Sequence, residues 1–463
     1  MTRAHPSAKR SSPGLRLLGG VLVLLALLLA LLISQAVRIR AGAEAYLYGY
    51  PLVIMELSRQ GSAAAVGPEN TLRRVRRFPA ADFKAVVRPN VDTLYTSAFI
   101  NADQGPWVFE MAANAQRYAL MPFMDAWTHV FASPGTRTTG TGPASYLLVG
   151  PGWQGTPPPG LTLLRAPTQM VWLIGRTQTN GVADYATAHR LQDGLSLRSL
   201  ADWQAGRPTP EPAWRAAATP PVAPIAQMQA MDVSTFFGHL ARLMQANPPH
   251  AQDRAMLDQL ARLGVGPGQP PRWGWLERQS VALGRWLADW RIGQALRDTA
   301  GAQQGWRTPP ANLGDYGSDY ATRAAVAMVG LGANLPADSL YPSTRLDAQG
   351  QPLHGDHRYR LHFAAGQLPP VRAFWSVTAY GMDDFFLPVA TGRYAIGDRD
   401  PLQYNADGSL DLWLQAEAPE QARRSNWLPV LRGQPFQLTA RLYWPEPAAL
   451  GGAWTMPGLE RQR

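Results

Sequence analysis

The chain has 463 residues, of which 46% are hydrophobic, and its formal net charge is +10. This length exceeds that of one simple core and indicates two or three domains, while the apolar fraction excludes a disordered chain. The 41 prolines and 43 glycines favour many turns and a β-rich fold. The arginines are scattered apart from a cluster at 73–77, and nucleic-acid binding needs a continuous basic track. We therefore expect no nucleic-acid partner.

The chain contains no cysteine. This composition excludes disulfides, thiolate metal sites and a cysteine nucleophile. An exported protein without cysteine avoids oxidative mispairing, so the composition is compatible with export.

An apolar run near the N-terminus predicts a membrane helix. The run is uncharged from Leu17 to Val37, and about 20 residues at about 1.5 Å rise cross the hydrocarbon core of a bilayer. More cations precede the span than follow it, which places the N-terminus in the cytoplasm. The cations before the span are Arg3, Lys9, Arg10 and Arg16. The alternative is a cleavable signal peptide. Ser34 and Ala36 place small side chains at the two positions that signal peptidase requires before a cleavage site, which would follow Ala36.

The segment after the span predicts one helix and then a series of short strands. The helix covers AEAYLYGYPLVIMELSR, and its tyrosines are expected to pack on the following sheet. Between Phe78 and Trp172, apolar runs of four to seven residues alternate with turn signals. The runs are LYTSAFI, WVFEM, YALMPF, HVFA, SYLLVG, LTLLRAP and MVWLIGRT. This pattern is typical of a β-sandwich or barrel of jelly-roll type.

Several motifs in this stretch resemble a known bacterial family. RPNVDTLYTSAF, DAWTHVFASPGTRTTG, LLVGPGW and APTQMVWLIGRT resemble the domain of unknown function numbered 1254. Towards the C-terminus, GQLPPVRAFWSVTAYG, GRYAIGD, NADGSLDLWLQ, SNWLPV and RLYWP resemble its partner, the domain of unknown function numbered 1214. The resemblance implies a bacterial protein that carries both domains in this order, and it implies no activity.

Proline-rich connections and helices separate the two β-rich parts. Helices are expected around 183–200, from Asp232, around 252–263 and over 275–298, and four tryptophans at helical spacing there are typical of a core. The fold class is therefore α+β, mainly β. It comprises two jelly-roll-like antiparallel β-sandwiches joined by a helical connector, with one N-terminal transmembrane helix. The expected boundaries are 1–40 for tail and anchor, 41–200 for the first sandwich, 201–312 for the connector and 313–463 for the second sandwich.

The polar residues of the first β-rich part are the candidate site. Asp92 and Asp125 are the candidate catalytic residues, because paired carboxylates perform acid–base work. Ion pairing of Asp125 with Arg88 or Arg137 is the structural alternative. The candidate substrate-binding residues are Arg88, Asn90, Tyr95, Arg137 and Trp375. A further hypothesis places a site between the sandwiches, at Trp375, Arg393 and Trp427.

Histidines give no metal prediction. His354 and His357 form an H-x-x-H pair in a glycine- and proline-rich loop without a third ligand, and His129 between strands is typical of a satisfied core group. We expect no metal and no cofactor.

These observations support two functions. The first is a hydrolase or lyase anchored in the bacterial inner membrane, with its body in the periplasm, acting on a sugar-like or small polar substrate. The alternative is a non-catalytic glycan- or protein-binding module of the cell envelope, which is secreted or periplasmic if the chain is cleaved near Ala36. The sequence leaves open whether the protein is an enzyme, and it leaves its oligomeric state open.

Overall fold

A computed structural model describes residues 13–84, 87–209, 222–297 and 302–462. Its first helix, α1 (Pro13–Val66), runs for 54 residues through two different environments. Apolar side chains of its first part are exposed, Leu24 by 67%, whereas Ala43 to Leu57 are almost wholly buried. Among the described residues, this helix is long and apolar enough to cross a membrane. The cations Arg3, Lys9 and Arg10 of the topology prediction lie outside the described residues.

The first β-unit, residues 73–199, contains two sheets. Its strands are β1 (Arg73–Arg74), β2 (Thr93–Asn101), β3 (Trp107–Met111), β4 (Ala119–Leu120), β5 (Phe123–Asp125), β6 (Val130–Ala132), β7 (Ala144–Val149), β8 (Thr162–Arg165), β9 (Met170–Gln178) and β10 (Leu195–Ser199). The short helices here are α2 (Thr136–Thr139), α3 (Tyr185–Asp193) and, directly after β10, α4 (Leu200–Gln204). One sheet has the order β1-β2-β9-β5-β6 with β4 also on β9, and the other has the order β10-β3-β7-β8. Side chains from both sheets share one apolar core.

The helical unit surrounds the buried half of α1. It contains α5 (Pro224–Ala230), α6 (Val233–Ala246), α7 (Arg254–Arg262), α8 (Trp275–Arg297) and α9 (Tyr320–Val329). The side chain of Asp232 caps α6 by accepting the N–H groups of Ser234 and Thr235 at 2.8 and 3.0 Å, as its sequence predicts. The tyrosines of α1 lie in this helical core, where Tyr46 packs on Phe236. The helical unit therefore encloses this half of α1, because a helix that is hydrophobic on all sides must be buried. It includes α9, which lies beyond residue 312, the boundary expected for the connector.

The second β-unit, residues 339–462, also contains two sheets. Its strands are β11 (Ser339–Leu340), β12 (Ser343–Thr344), β13 (Arg358–Phe363), β14 (Val371–Gly381), β15 (Ala395–Gly397), β16 (Leu410–Gln415), β17 (Trp427–Pro429), β18 (Phe436–Pro445) and β19 (Leu459–Gln462), with helix α10 (Pro447–Leu450) after β18. The sheet orders are β11-β18-β14-β15, with β12 also on β18, and β17-β16-β13-β19. Both sheets contribute to one core.

The α+β class is confirmed, and the finer jelly-roll sandwich assignment stays a prediction. Two element predictions are wrong. The helix expected over 183–200 ends at Asp193, and residues after Gly194 form β10, because Leu195 and Leu197 alternate into the sheet core. The second concerns residues 385–390, where the apolar run FFLPVA favours a strand; it forms none, since Pro388 cannot donate to a strand ladder.

Candidate functional site

Asp125 lies at the end of β5 and shapes the hairpin loop that leads to β6. Its Oδ1 accepts the backbone N–H groups of Trp127 and His129, each at 2.9 Å, and the side chain is fully buried. Thr128 in this loop has a φ of 71°, a conformation that a β-branched residue rarely adopts. The loop geometry leaves Oδ2 of Asp125 facing away from the hairpin, towards the helical unit.

The segment between α6 and α7 brings a histidine to that carboxylate. Nε1 of Trp127 donates to the carbonyl of Pro248 at 3.1 Å, which docks the hairpin on this segment. Nε2 of His250 lies 2.8 Å from Oδ2 of Asp125, and the His250 side chain is 20% exposed. The rings of His129 and His250 are 4.7 Å apart between centroids. A carboxylate and two histidines therefore meet at the junction of the first β-unit and the helical unit.

A fully buried arginine from α9 completes this polar cluster. Nη1 of Arg323 lies 3.2 Å from Nε2 of His129, and its Nη2 donates to the carbonyl of Tyr48 at 3.2 Å. The guanidinium lies over the rings of Tyr48, Trp127 and Tyr320 at 5.1 to 5.4 Å. Buried Asp253 accepts the hydroxyl of Tyr320 at 3.0 Å. The aromatic faces and the charges of Asp253 and Asp125 offset part of the cost of burying this cation. We call Asp125, His129, His250, Asp253 and Arg323 the junction cluster.

The pKa values of the two histidines of the junction cluster are shifted in opposite directions. Burial lowers the pKa of His129, and the charges of Arg323 and His250 add to the decrease, although Asp125 opposes it. Burial also acts to lower the pKa of His250, but the contact with Asp125 and its charge outweigh burial, so this pKa is raised. His250 therefore holds a proton more readily than His129. Neighbouring groups whose pKa values are pushed apart are typical of acid–base sites.

Asp92 lies outside the junction cluster, at the contact between the two β-units. Its Oδ2 accepts the hydroxyl of Ser376 at 2.8 Å, and its Oδ1 accepts from the guanidinium of Arg399. The carboxylate is 1% exposed. Next to it, burial raises the pKa of Asp398 to about 6, although Arg399 and the N–H of Trp375 lower it; the charge of Asp92 adds to the rise. Asp92 thus joins β2 of one unit to β14 of the other.

The neighbouring candidate residues support the turn before β2. Oδ1 of Asn90 accepts the N–H groups of Asp92 and Thr93 at 2.9 Å, which closes the turn as its sequence predicts. Its Nδ2 donates to the hydroxyl of Tyr95 at 2.9 Å. Arg88, with a φ of 49°, donates to Asp384 at 2.8 Å. Asn90, Asp92, Tyr95 and Arg88 therefore lie together.

The structure separates Asp92 from Asp125. Thr179, directly after β9, donates its N–H to the carbonyl of Asp92, whereas Asp125 pairs with Val171 at the other end of β9. Eight residues of strand span about 26 Å, whereas catalytic carboxylate pairs lie within about 10 Å of each other. Asp92 and Asp125 therefore do not form one carboxylate pair.

The observed ion-pair partner of Asp125 also differs from the two arginines that the sequence predicts. Arg137 donates to the buried Asp338 at 2.5 Å, and Arg88 pairs with Asp384, so neither reaches Asp125. The partner of Asp125 is His250, which a separate helical segment supplies.

The residues proposed between the sandwiches are packed or internally bonded. Trp375 is 3% exposed and packs against Phe363 in the core of the second β-unit. A ligand from solvent does not reach such an indole directly. Arg393 donates to the carbonyl of Trp427 at 2.8 Å and pairs with Asp400, which fixes a loop. In the described part of the chain, no group of three or more histidine, aspartate and glutamate side chains is arranged to hold a metal ion.

An open cleft lies on another side of the same junction. It has a volume of about 360 Å³ and is bordered by the end of α1, by α6 and by the chain around Asn101 and Gln169. Its charged and amide side chains include Glu56, Arg59, Glu69, Gln104, Gln169 and Arg242. We call it the α1–α6 cleft. Asn247, which also lines it, accepts the N–H of Met170 at 2.8 Å and stands three residues before His250.

The charged groups of the α1–α6 cleft are held in pairs. Arg59 donates to both carboxylate oxygens of Glu56 at 2.7 and 2.8 Å and also pairs with Glu69. Burial raises the pKa of Glu56, but the hydrogen bonds and charge of Arg59, with Gln60, outweigh burial and leave the pKa below its ordinary value. Arg242 and Gln104 are exposed and Gln169 is half-buried. The cleft thus presents fixed carboxylates beside accessible guanidinium and amide groups.

Sequence reasoning missed His250, Arg323 and the α1–α6 cleft. One signal was available for Arg323, a lone charge within the apolar helix YATRAAVAMV. His250 follows Asn-Pro-Pro in a loop, and nothing local to that segment indicates that it meets Asp125, 125 positions earlier in the chain.

The comparisons with known proteins agree with the two β-units. Residues 69–199 match the model described as protein of unknown function (DUF1254), and residues 338–447 match protein of unknown function (DUF1214). No curated protein matches the chain.

One solved structure supports the fold, and the fold alone. The VPA0106 protein from Vibrio parahaemolyticus is similar with a TM-score of 0.68 and 22% identity, over 92% of this chain and 100% of that chain. An uncharacterised protein from Burkholderia cenocepacia has a TM-score of 0.46 and 12% identity, over 93% of this chain and 96% of that chain. The order of the two matched domains is the order that the sequence motifs predict. The chain therefore belongs to the proteins that pair an N-terminal domain of unknown function 1254 with a C-terminal domain of unknown function 1214.

Proposed function

We propose that this is an extracytoplasmic protein, held in the inner membrane by α1, that binds a sugar-like or small polar ligand in the α1–α6 cleft. The observation that carries the proposal is the cleft itself, whose volume of about 360 Å³ falls in the range of small-molecule sites, about 300–1,000 Å³. Neither Asp92 nor Trp375 offers a comparable opening, because both are buried between packed elements.

The chemistry of the cleft favours a ligand with many hydroxyl groups. The amide side chain of Gln169 offers a donor and an acceptor side by side, and Arg242, whose Nη2 contacts His239, offers further donors in one plane. Adjacent hydroxyls of a sugar present the complementary pattern of paired donors and acceptors. The carboxylate of Glu56 keeps its position through Arg59, which pre-organises the wall of the cleft.

Binding to the full-length protein in detergent micelles tests this proposal. A panel of mono- and disaccharides, uronic acids and amino acids is measured by thermal shift and calorimetry. A ligand at 100 times its Kd is expected to stabilise the fold by about 2.7 kcal/mol. Arg242→Gln and Gln169→Ala should weaken binding, whereas Arg254→Gln, at an exposed arginine of α7, should not. If a ligand binds both cleft variants with the same affinity as the parent, its site lies outside the cleft.

Contacts at the end of the apolar run support an uncleaved anchor. The hydroxyl of Ser280, a buried residue of α8, donates to Oε1 of Gln35 at 2.8 Å, and Arg38 pairs with Glu277 at 3.1 Å. Cleavage after Ala36 would remove Gln35 from this contact. The intact mass of the protein from membranes should therefore include residues 1–36, and an N-terminus at Val37 would contradict the anchor.

Acid–base catalysis at the junction cluster is the second candidate function. It rests on the opposite pKa shifts of His250 and His129 beside Asp125. In a hydrolase or lyase, protonated His250 would donate to a leaving group while Asp125 holds its ring in place.

A substrate screen tests the catalytic version. Glycoside and ester hydrolysis and the formation of unsaturated uronate products are followed with the full-length protein. His250→Asn and Asp125→Asn should lower any activity by about 10²–10⁴-fold. His357→Asn, at a histidine of the second β-unit far from the junction in the chain, is the matched control. Folded variants as active as the parent would remove catalysis from this cluster.

A further inference from the structure

Helix α8 has one face against α1 and one face in solvent. Val281, Gly284, Ala288 and Ile292 are buried towards the helical core. The opposite side exposes Leu276 by 41%, Leu283 by 55%, Trp286 by 66% and Trp290 by 48%. The expectation that these tryptophans belong to the core is therefore wrong for Trp275, Trp286 and Trp290. Only Trp273, before the helix, packs partly against the core, on Phe237.

The exposed residues of α8 follow a heptad spacing. We call Leu276, Gln279, Leu283, Trp286 and Trp290 the α8 seam; they are separated by three, four, three and four positions. This is the a/d spacing with which two helices pack along a shared seam. In that register Leu276, Leu283 and Trp290 occupy a positions. Of the flanking residues, Ala282 and Leu287 carry no charge, and Asp289 pairs with Arg285 of the same helix at 3.5 Å.

The start of α8 lies beside the end of the apolar run of α1. Contacts advance in the same direction along both helices, from Ser280 with Gln35 to Arg285 with Tyr46. A Cβ at Gly284 would lie 2.5 Å from the carbonyl of Ile39, so the two backbones touch. The helices are therefore parallel and close together. Where α1 leaves the membrane, the α8 seam begins and extends away from the bilayer alongside it.

Distance along the helix decides between lipid and protein as the cover of the seam. Trp286 and Trp290 lie 10 and 14 residues beyond Leu276, which is about 15 and 21 Å along the axis. The headgroup layer on one side of a bilayer is about 7 Å thick. Lipid can therefore cover the first turn of α8, where Trp275 is 71% exposed, but the upper seam needs a protein partner. This step rests on the proposed membrane anchor.

We propose that the α8 seam pairs with the same seam of a second copy of this chain. The anchor holds every copy in the same orientation, so two α8 helices meet in parallel. A two-fold axis perpendicular to the membrane then places each a position opposite itself and closes the contact at two copies. The assembly is a layer of four helices, with the two α8 helices inside and the two α1 helices outside.

The absence of cysteine from the chain makes a direct test available. Leu283→Cys in the full-length, membrane-anchored protein places one thiol at the centre of the seam. Arg278→Cys is the matched control, since Arg278 is exposed on the same helix outside the seam. Both proteins are oxidised in native membranes and again after dilution into excess lipid. We expect the Leu283→Cys protein to shift to a disulfide-linked dimer, and the control to stay a monomer.

The other outcomes overturn the proposal. Equal cross-linking of the two variants would show random collision in the membrane. A Leu283→Cys protein that stays monomeric, with tryptophan fluorescence whose quenching by brominated lipid decreases in a Trp286→Phe variant, would assign the seam to the membrane surface. A cross-link only to a chain of different mass would assign it to another protein. As a second measurement, Leu283→Glu should convert the detergent-solubilised dimer to a monomer by light scattering, and a dimer that persists in this variant would exclude the seam. An unchanged far-UV circular dichroism spectrum verifies that each variant is folded, because loss of a dimer by itself lowers the temperature of unfolding.

Discussion

Nε2 of His250 lies 2.8 Å from Oδ2 of Asp125, and this contact joins the helical unit to the first β-unit. Two backbone N–H groups occupy Oδ1 of the same carboxylate, so His250 is the partner of the remaining oxygen. Because Asp125 is fully buried, loss of its partner leaves an uncompensated charge, which typically costs about 3–5 kcal/mol.

Replacement of His250 should destabilise the protein in a pH-dependent way. The pKa of His250 is raised in the fold, so its protonated contact stabilises the protein fully below the ordinary histidine pKa of about 6.5. This contribution is lost as pH rises through the folded value. The difference in unfolding free energy between parent and His250→Asn should therefore be larger at pH 5.5 than at pH 9, by urea unfolding. A constant difference would contradict a charged contact.

His129 should show the opposite sign. Its pKa is lowered in the fold, mainly by burial, so the unfolded chain takes up a proton below pH of about 6.5 while the folded chain does not. This histidine therefore reduces stability as pH falls. The parent should lose more stability than His129→Asn between pH 7.5 and pH 5. Equal losses in the two proteins would show that His129 does not titrate differently on folding.

Asp92→Asn should weaken the contact between the two β-units. The substitution keeps an acceptor for Ser376 but leaves the guanidinium of Arg399 with Asp398, at 3.8 Å, in place of the closer and more deeply buried Asp92. We expect a loss of about 3–5 kcal/mol in unfolding free energy. Asp383→Asn removes the exposed pair with Lys84 across the same two units, for which we expect about 0–1 kcal/mol. Similar losses of unfolding free energy in the two variants would show that the buried Asp92 pair stabilises the protein no more than the exposed pair does.

Asp398→Asn should stabilise the protein at neutral pH. The pKa of Asp398 is raised to about 6, so the folded chain holds this proton more tightly than the unfolded chain. The parent therefore loses stability as pH rises from about 4, the pKa of an aspartate in the unfolded chain, to about 6, the pKa of Asp398 in the folded chain. The variant should be more stable by about 1–3 kcal/mol at pH 8 and equal to the parent near pH 4. Urea unfolding at both pH values measures this, and a variant less stable at pH 8 would refute it.

The elements with strong local patterns were predictable from sequence. The run Leu17–Val37 predicts a long apolar helix, and the turn at Asn90 and the cap at Asp232 have the geometry that their side chains predict. Strands such as β3 and β9 match their apolar runs because alternating or continuous apolar residues must face a core. Pro122 divides YALMPF into β4 and β5, a detail that the run alone does not resolve.

The candidate site depended on contacts between distant parts of the chain. Asp125 and Asp92 are both aspartates at the ends of strands, and sequence gives no reason to separate them. Pairing along β9 places them at opposite ends, and the partner of each comes from more than 100 residues away. Such partners are chosen by packing of the whole chain, not by spacing within a segment.

By itself, the sequence determined the apolar helix, the two β-rich regions and the pairing of their two families. Only the tertiary structure decided that this helix continues into the core, that His250 meets Asp125, and that the tryptophans of α8 face outwards. The physical reason is that periodicity shows which face of an element is apolar, but not which neighbour covers it. For α8, Leu283 and Val281 are both apolar, and only the position of α1 buries one and exposes the other.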